Sequence, residues 1–433
     1  MNLRDLARHQ VLLGVGLFTI LFWGLRIAYW ESVTELPFSD MANFESVAHQ
    51  VAQNGDFSWS QFWQTYSTPT LFAMRALVLT LFGDELIFWQ FFQTTLLWCA
   101  LVWLSLELRR LTGSSWLAVL LIAVVALSKP SIFWSLKLSR ESIHEMFTYA
   151  TAASFLLMLR NERWWAQLLF GLILMANVLN RPNSLAILPL AFAAYVAVDY
   201  LRARRNEGTT TFWSFAEIRR LVRIFTLVTV GVMLLWGPWI ARNYSIYGEL
   251  VPLSTQASYS FLWDLGQIKV RLPNDTVVVT DVNELQATAS ENFKTDLEAS
   301  RYANQVAWAW IRENYLELPN HIMRRLKASV TIDVEYLSKV SRTSLFGNPI
   351  DYTILIDKSA LGVILGCIGL LVLPLRYGFE LAIIPVVAVI PWLTGAAIVG
   401  YPRMLDPSLP LIMFGSTVLV VVAAEWLFRW RRR

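Results

Sequence analysis

Charge is what this sequence has least of: Asp, Glu, Lys and Arg make up 16% of its 433 residues, where a soluble domain carries about 25%. A surface so poor in charge does not face water throughout, which excludes an ordinary soluble globular protein. Cysteine is scarcer still. Cys99 and Cys367 both lie in apolar runs, which excludes a disulfide framework or a metal knuckle and leaves them as small core hydrophobes. No small-residue cleavage site follows the apolar run VLLGVGLFTILFWG behind MNLRDLARHQ, so this segment reads as an uncleaved first span rather than a signal peptide. The stretch 31–69 contains no Lys or Arg, although it carries Glu31, Glu35, Asp40, Glu45 and Asp56.

Apolar side chains are what the sequence has in abundance: 56% of residues are hydrophobic, with 20 Trp, 25 Phe and a mean hydropathy of +0.47. A span needs about 20 apolar residues. Segments that qualify lie near 11–30, 84–106, 116–133, 142–159, 164–180, 183–201, 221–240, 359–375, 379–399 and 408–427. The expectation is an all-α polytopic membrane protein with about ten transmembrane helices. The run PTLFAMRALVLTLF at 69–82 is too short and contains Arg75; it is predicted to be a re-entrant or interfacial helix.

Cytoplasmic loops of membrane proteins are enriched in Lys and Arg. Arg4, Arg8, Arg109, Arg110, Arg160, Arg163, Arg202, Arg204, Arg205, Arg219, Arg220, Arg223, Arg376 and the terminal arginines all fall on one side of the predicted spans. That side is read as the cytoplasm, with both termini there, in a multi-pass protein of the bacterial inner membrane. The net charge of +4 and pI near 9.0 then reflect basic groups flanking spans rather than nucleic-acid binding.

Three regions follow: an N-terminal transmembrane module, 1–240, with a first outer loop at 31–83; a polar extracytoplasmic domain, 241–357; and C-terminal transmembrane helices, 358–433. In the domain, LPNDTVVVTDVN at 272–283 reads as a turn and a short strand. Residues 284–330 read as helix, with Phe293, Leu297, Tyr302, Val306, Trp310 and Tyr315 at roughly helical spacing, so the domain is predicted to be mainly helical α/β. No internal or inverted repeat is visible.

Ionisable groups at span mouths are costly and mark function by default. Asp40, Lys137, Arg140, Glu141, His144, Arg181, Arg242 and Arg403 gather on the predicted outer face. Cations there can hold a lipid-linked phosphate while a carboxylate takes a proton from an incoming hydroxyl. The bland alternatives are solvated loop acids, helix C-terminal caps and headgroup anchors. His144 reads as a structural histidine. Span-end tryptophans form interfacial belts first of all, although Trp59, Trp63, Trp134 and Trp263 could stack on sugar rings.

The acid early in the first outer loop, the juxtamembrane helix after it, PWIARNYSIYGELVPLS at 238–254 and YPRMLDPSLPLIMF at 401–414 carry a resemblance. In this order they resemble the motifs of the GT-C superfamily of polytopic glycosyltransferases, notably its bacterial protein-mannosyltransferase-like and aminoarabinose-transferase-like members. The resemblance extends from Asp40 to Pro410. It departs in having Met41 after Asp40, Met404 where Tyr is usual, and Ser67-Thr68-Pro69-Thr70 in place of a Lys-Pro-Pro.

The resemblance implies sugar transfer from a polyprenyl-phosphate-linked donor to an envelope glycan, lipid or protein acceptor, among membrane lipids, on the outer face. Asp40 matches the acidic position and would be the general base of an inverting displacement. Arg242 and Arg403 match motif positions, and their charge assigns them to the donor phosphate. Lys137 and Arg140 join them by charge and location. Glu141 fits a commonly acidic position. Glu45, Glu141, His49 and Arg181 are candidates for acceptor binding or support. Asp40, Glu45 and His49 could bind a divalent metal ion, although no spacing is diagnostic. The rival functions are a transporter or flippase of lipid-linked saccharide, and an oligosaccharide polymerase or ligase.

Overall fold

In hydrocarbon every backbone N–H and C=O must find a partner within its own segment, so long apolar runs fold as helices. The computed structural model describes residues 3–32, 40–207, 215–263, 265–272, 276–331, 344–345, 348–349 and 355–431. Glu35, most of 332–354 and the last two arginines lie outside them. In chain order the helices begin with α1 (Leu3–Ser32), α2 (Asp40–Asn54), α3 (Thr70–Phe82), α4 (Leu86–Thr112), α5 (Ser115–Ala126) and α6 (Lys129–Trp134). They continue with α7 (Arg140–Arg160), α8 (Trp164–Val178), α9 (Ile187–Glu207) and α10 (Phe215–Tyr247). After the polar domain come α16 (Ala360–Tyr377), α17 (Ile383–Ile398) and α18 (Leu409–Arg431).

Among the described residues, seven helical segments are long and apolar enough to cross a membrane: those in α1, α4, α9, α10, α16, α17 and α18. The chain is a multi-pass membrane protein. The other three expected spans are also helices. α5 has 12 residues and α8 has 15. α7 has 21 but carries Glu141, His144, Glu145, Thr148, Thr151 and Ser154. Nearly all of its side chains are buried, which lets polar groups stay because protein rather than lipid surrounds them.

The span expected at 116–133 is broken. Pro130 lacks an N–H and disfavours helix in the residue before it, and α5 stops at Ala126. At 13 residues, α3 is about 20 Å long and too short to cross. Arg75, 1% exposed, is held there by hydrogen bonds to Glu45 of α2 and to the Asp84 carbonyl at 2.9 Å.

Lipid chains give helices no hydrophobic reason to associate, so small residues and close backbones do that work. Gly366 and Gly369 of α16 face Ile412 and Gly415 of α18, and any Cβ at Gly369 would run into the Gly415 carbonyl. Gly171 of α8 and Gly231 of α10 make the same kind of crossing against Val228 and Leu168.

The polar domain contains α11 (Ala257–Leu262), an antiparallel hairpin of β1 (Ile268–Arg271) and β2 (Val277–Thr280), α12 (Val282–Ala287), α13 (Ala289–Asn292), α14 (Asp296–Glu313) and α15 (Leu318–Ser329). Ile268 pairs with Thr280 and Arg271 with Val277. A second short pair joins β3 (Ser344–Leu345) to β4 (Asn348–Pro349). The helical run expected over 284–330 is thus interrupted near 288, 293 and 314–317. The buried face of α14 is the row Ala299, Ala303, Val306 and Ala307; of the expected residues Val306 is fully buried, Phe293, Tyr302 and Trp310 pack half-buried against the same core, and Tyr315 is exposed. Small side chains let α14 lie close to α11 in a core with Tyr259, Leu262 and Val270.

Gly369→Leu should overpack the α16–α18 crossing and cost about 1–3 kcal/mol, seen as a lower unfolding temperature in detergent. Ile364→Leu, on an exposed part of the same helix, should leave that temperature unchanged.

Candidate functional site

The break after α5 builds the site. Lys129 N–H donates to the Ile356 carbonyl at 2.9 Å, and Ile356 N–H donates to the Leu127 carbonyl at 2.8 Å. The loop Ser135–Ser139 that follows α6 is buried throughout, and its carbonyls need partners. Gln93 of α4 donates to Ser135 at 2.7 Å and Lys137 at 3.2 Å, and Gln90 donates to Leu136 at 3.2 Å. Ser142 fixes the Gln93 amide from the other side at 2.6 Å. The chain therefore enters α7 at a set place, with Arg140 and Glu141 at its first turn.

Those two residues floor a cavity of about 780 Å³. Around it stand Asp40 of α2, Arg181 after α8, the end of α17, and Arg403 in the turn 402–404. Its cover comes from the first loop and the polar domain. Glu141 accepts a hydrogen bond from Arg181 Nη2 at 2.5 Å. Asp40 Oδ2 lies 3.4 Å from Arg403 Nη1, with about half of its side-chain surface open. Arg140 packs its guanidinium 5.4 Å from the Phe44 ring. Its Nε and Nη2, and Nη1 of Arg181, are buried without a hydrogen-bond partner among the described residues. Burial alone would lower the Arg403 guanidinium. Glu141 and Asp40 beside it outweigh that and hold it above its ordinary value. Three arginines against two carboxylates leave the cavity with one net positive charge, and its spare buried donors include the Arg140 and Arg181 N–H groups.

The turn that presents Arg403 is itself braced. Lys358 forms a fully buried ion pair with Asp406 at 2.5 Å and donates to the Pro402 carbonyl at 2.8 Å. Trp134, which lines the cavity, donates its indole N–H to Asp406 at 2.8 Å. The cover is anchored by Asp296, which is fully buried. It accepts from Thr65 N–H at 3.1 Å, Thr255 Oγ1 at 3.1 Å and Tyr247 Oη at 2.5 Å. One carboxylate thus joins the first loop, α10 and the polar domain.

Of the residues picked out by sequence, Asp40, Arg140, Glu141, Arg181 and Arg403 meet in the cavity, as do Trp59, Trp63, Trp134 and Trp263; Lys137, Arg242, Glu45, His49 and His144 lie outside its described lining. Lys137 is buried 4.3 Å from the centre of the Phe133 ring. Arg242 turns to the loop, 3.2 Å from the Gln64 carbonyl and 3.9 Å from Asp56, over the Trp239 ring at 5.0 Å. Glu45 and His49 sit with Asp84, apart from Asp40. These three place one ligand atom each within 4.8 Å of one another, a spacing that admits a divalent ion. Arg75 competes for it, since its guanidinium already holds both Glu45 oxygens.

Sequence reasoning passed over Arg26 inside the first span. Its Nη2 donates to Ser131 at 2.7 Å, and Ser131 donates to Glu145 at 2.9 Å. The available signal was an arginine on α1 and a glutamate on α7, in spans otherwise nearly free of charge.

The sequence matches no protein-family model and no curated protein. The structure does have solved counterparts. The Archaeoglobus fulgidus oligosaccharyltransferase in its apo form aligns with a TM-score of 0.54 at 13% identity, over 98% of this chain and 51% of that one. The oligosaccharyltransferase AglB from the same archaeon, in complex with an inhibitory peptide and a dolichol-phosphate, aligns at 0.55 and 12% identity, over 98% and 52%. A weaker likeness, 0.40 at 13% identity over 95% and 78%, is to ArnT from Cupriavidus metallidurans in the apo state. The two stronger likenesses show the fold: this chain is a polytopic membrane protein that shares the fold of those oligosaccharyltransferases. It spans about half the length of those oligosaccharyltransferases.

Removing one member of a buried ion pair strands the other at a cost of about 3–5 kcal/mol. Lys358→Met should therefore destabilise the protein strongly in thermal unfolding, and Lys358→Met with Asp406→Leu should recover most of the loss. A double variant no better than the single would show that the pair is not the brace.

Proposed function

We propose that this chain is a membrane glycosyltransferase that moves a sugar from a polyprenyl-phosphate-linked donor to a glycan, lipid or protein acceptor. It works on the outer face of the bacterial cytoplasmic membrane, with both termini on the other side. The observation that carries this reading is the cavity itself: a half-open carboxylate stands opposite buried guanidinium groups with N–H donors to spare, where the spans end. The fold shared with the oligosaccharyltransferases supports it, as does the dolichol-phosphate named in the AglB complex.

Asp40 is the general base. Its exposed edge accepts the proton of the acceptor hydroxyl as that oxygen forms a bond to the anomeric carbon. The bond from that carbon to the phosphate oxygen breaks, and the electron pair leaves with the lipid phosphate. Attack from the side opposite the phosphate inverts the anomeric centre. Arg140, Arg181 and Arg403 hold the phosphate and stabilise the charge it gains, which preorganised donors do best away from water. Arg403 also restrains Asp40, keeping the base beside the reacting centre. Arg242 serves indirectly, by tying down the loop 56–64.

A transporter would place its ionisable groups along the span depth. Here they collect toward the ends of the helices, and the deeper pair Arg26 and Glu145 is bridged through Ser131.

In liposomes supplied with a polyprenyl-phosphate sugar and acceptor, Asp40→Asn should lower kcat by about 10²–10⁴-fold with donor affinity nearly unchanged. Turnover equal to wild type would remove Asp40 as the base. Arg140→Gln should weaken binding of bare polyprenyl phosphate by roughly tenfold or more, as expected for lost charged hydrogen bonds. Substrate flux across sealed vesicles without any covalent product would point to transport instead.

A further inference from the structure

Charge divides the cavity into two walls. All five charged side chains of its described lining, Asp40, Arg140, Glu141, Arg181 and Arg403, come from helix termini and turns. The facing wall, from the first loop and the polar domain, is built of Trp59, Trp63, Tyr66, Gln256, Trp263 and Gln286 and carries no charge among the described residues. Its aromatic rings brace one another edge to face, Tyr66 lying 5.4 Å from Trp59 and 5.0 Å from Trp63. The Gln286 amide donates to the Tyr66 hydroxyl at 2.9 Å, and the Gln256 side chain is hydrogen-bonded to the same hydroxyl. Burial pushes the Tyr66 phenol up, so the proton stays on. Amides and a phenol each both donate and accept, as sugar hydroxyls do, while indole faces suit the apolar side of a ring.

The charged wall is poorly matched to a charged sugar. Glu141 is taken by Arg181, and Asp40 shares one oxygen with Arg403 while its open edge is the one assigned above to the acceptor hydroxyl; an ammonium group on the donor sugar would meet a cavity with one net positive charge. A sugar carboxylate would compete with the lipid phosphate for the guanidinium N–H groups. Given the reading of this cavity as a glycosyl-transfer site, the geometry points to an uncharged sugar as the group carried by the donor, held against the amide and aromatic wall. Selection against charged sugars comes from this mismatch rather than from a blocking side chain.

The test is calorimetric binding to the full chain in lipid nanodiscs with four ligands: bare polyprenyl phosphate, and the same lipid carrying a neutral hexose, an amino sugar or a hexuronate. The neutral glycolipid should bind about tenfold tighter than the bare lipid phosphate, the yield of one or two well-made neutral hydrogen bonds. The two charged glycolipids should bind no tighter than the bare one. Trp63→Ala should lose most of the neutral-sugar increment. Gln286→Ala, a milder change, should reduce it about fivefold and stands in should the first fail to fold. A charged glycolipid binding tighter than the neutral one overturns the inference, as does a full increment in Gln286→Ala. If bare polyprenyl phosphate binds and the sugars add nothing, the inference falls while the donor reading stands. If none of the four binds, the donor reading falls and takes the inference with it.

Discussion

A guanidinium withdrawn from water must be matched by negative charge or left with a ligand to meet, and this requirement organises the molecule. Desolvating an ion costs several kcal/mol even after relaxation, so each buried carboxylate here has a basic or hydrogen-bonding partner. Glu107 takes Arg110 and Arg160 at one end of the bundle. Arg75 takes Glu45, Arg26 reaches Glu145 through Ser131, and Lys358 takes Asp406. Burial pushes the Asp406 carboxyl up while Lys358 and Trp134 pull it back down. In the large cavity the matching stops short among the described residues, with Arg140 left over. That imbalance makes an anionic ligand the natural complement of the site.

The scaffold holds the imbalance in place with hydrogen bonds made outside the cavity. The buried loop Ser135–Ser139 has no helix to satisfy it, and two glutamines of α4 supply the missing donors. On the far side Asp296 gathers three hydrogen bonds from three parts of the chain. The floor and the cover are thus fixed separately, by amides below and by one carboxylate above, and the cavity is the space left between them.

Much of this was legible in the residues. Hydrophobic run length marked the helices, since backbone satisfaction in lipid is a local matter that composition reports directly. Asp40 and Arg403 stood out by their place beside spans, and the structure sets them 3.4 Å apart. Direction was not legible. Arg242 and Arg140 look alike in sequence, each a cation at a span mouth, yet one faces a loop and the other a cavity. That difference is made by residues far along the chain. The span expected at 142–159 is the polar α7, which fails a hydropathy test; it is tolerated because what surrounds a helix depends on its neighbours. The split of the third predicted span after Ala126 had its signal in Lys129-Pro130, but its partner at Ile356 could not be read locally.

That split bears on how the protein is made. The backbone groups freed at Leu127 and Lys129 are completed by Ile356, and the neighbouring Lys129–Asp357 contact joins residues 228 positions apart. A ribosome adding about 5–20 residues per second needs on the order of ten to fifty seconds to cover that distance. For that time the nascent loop lacks its final partners while lipid or the insertion machinery surrounds it. The floor of the cavity is therefore among the last parts of the molecule to mature, although its residues emerge early in synthesis.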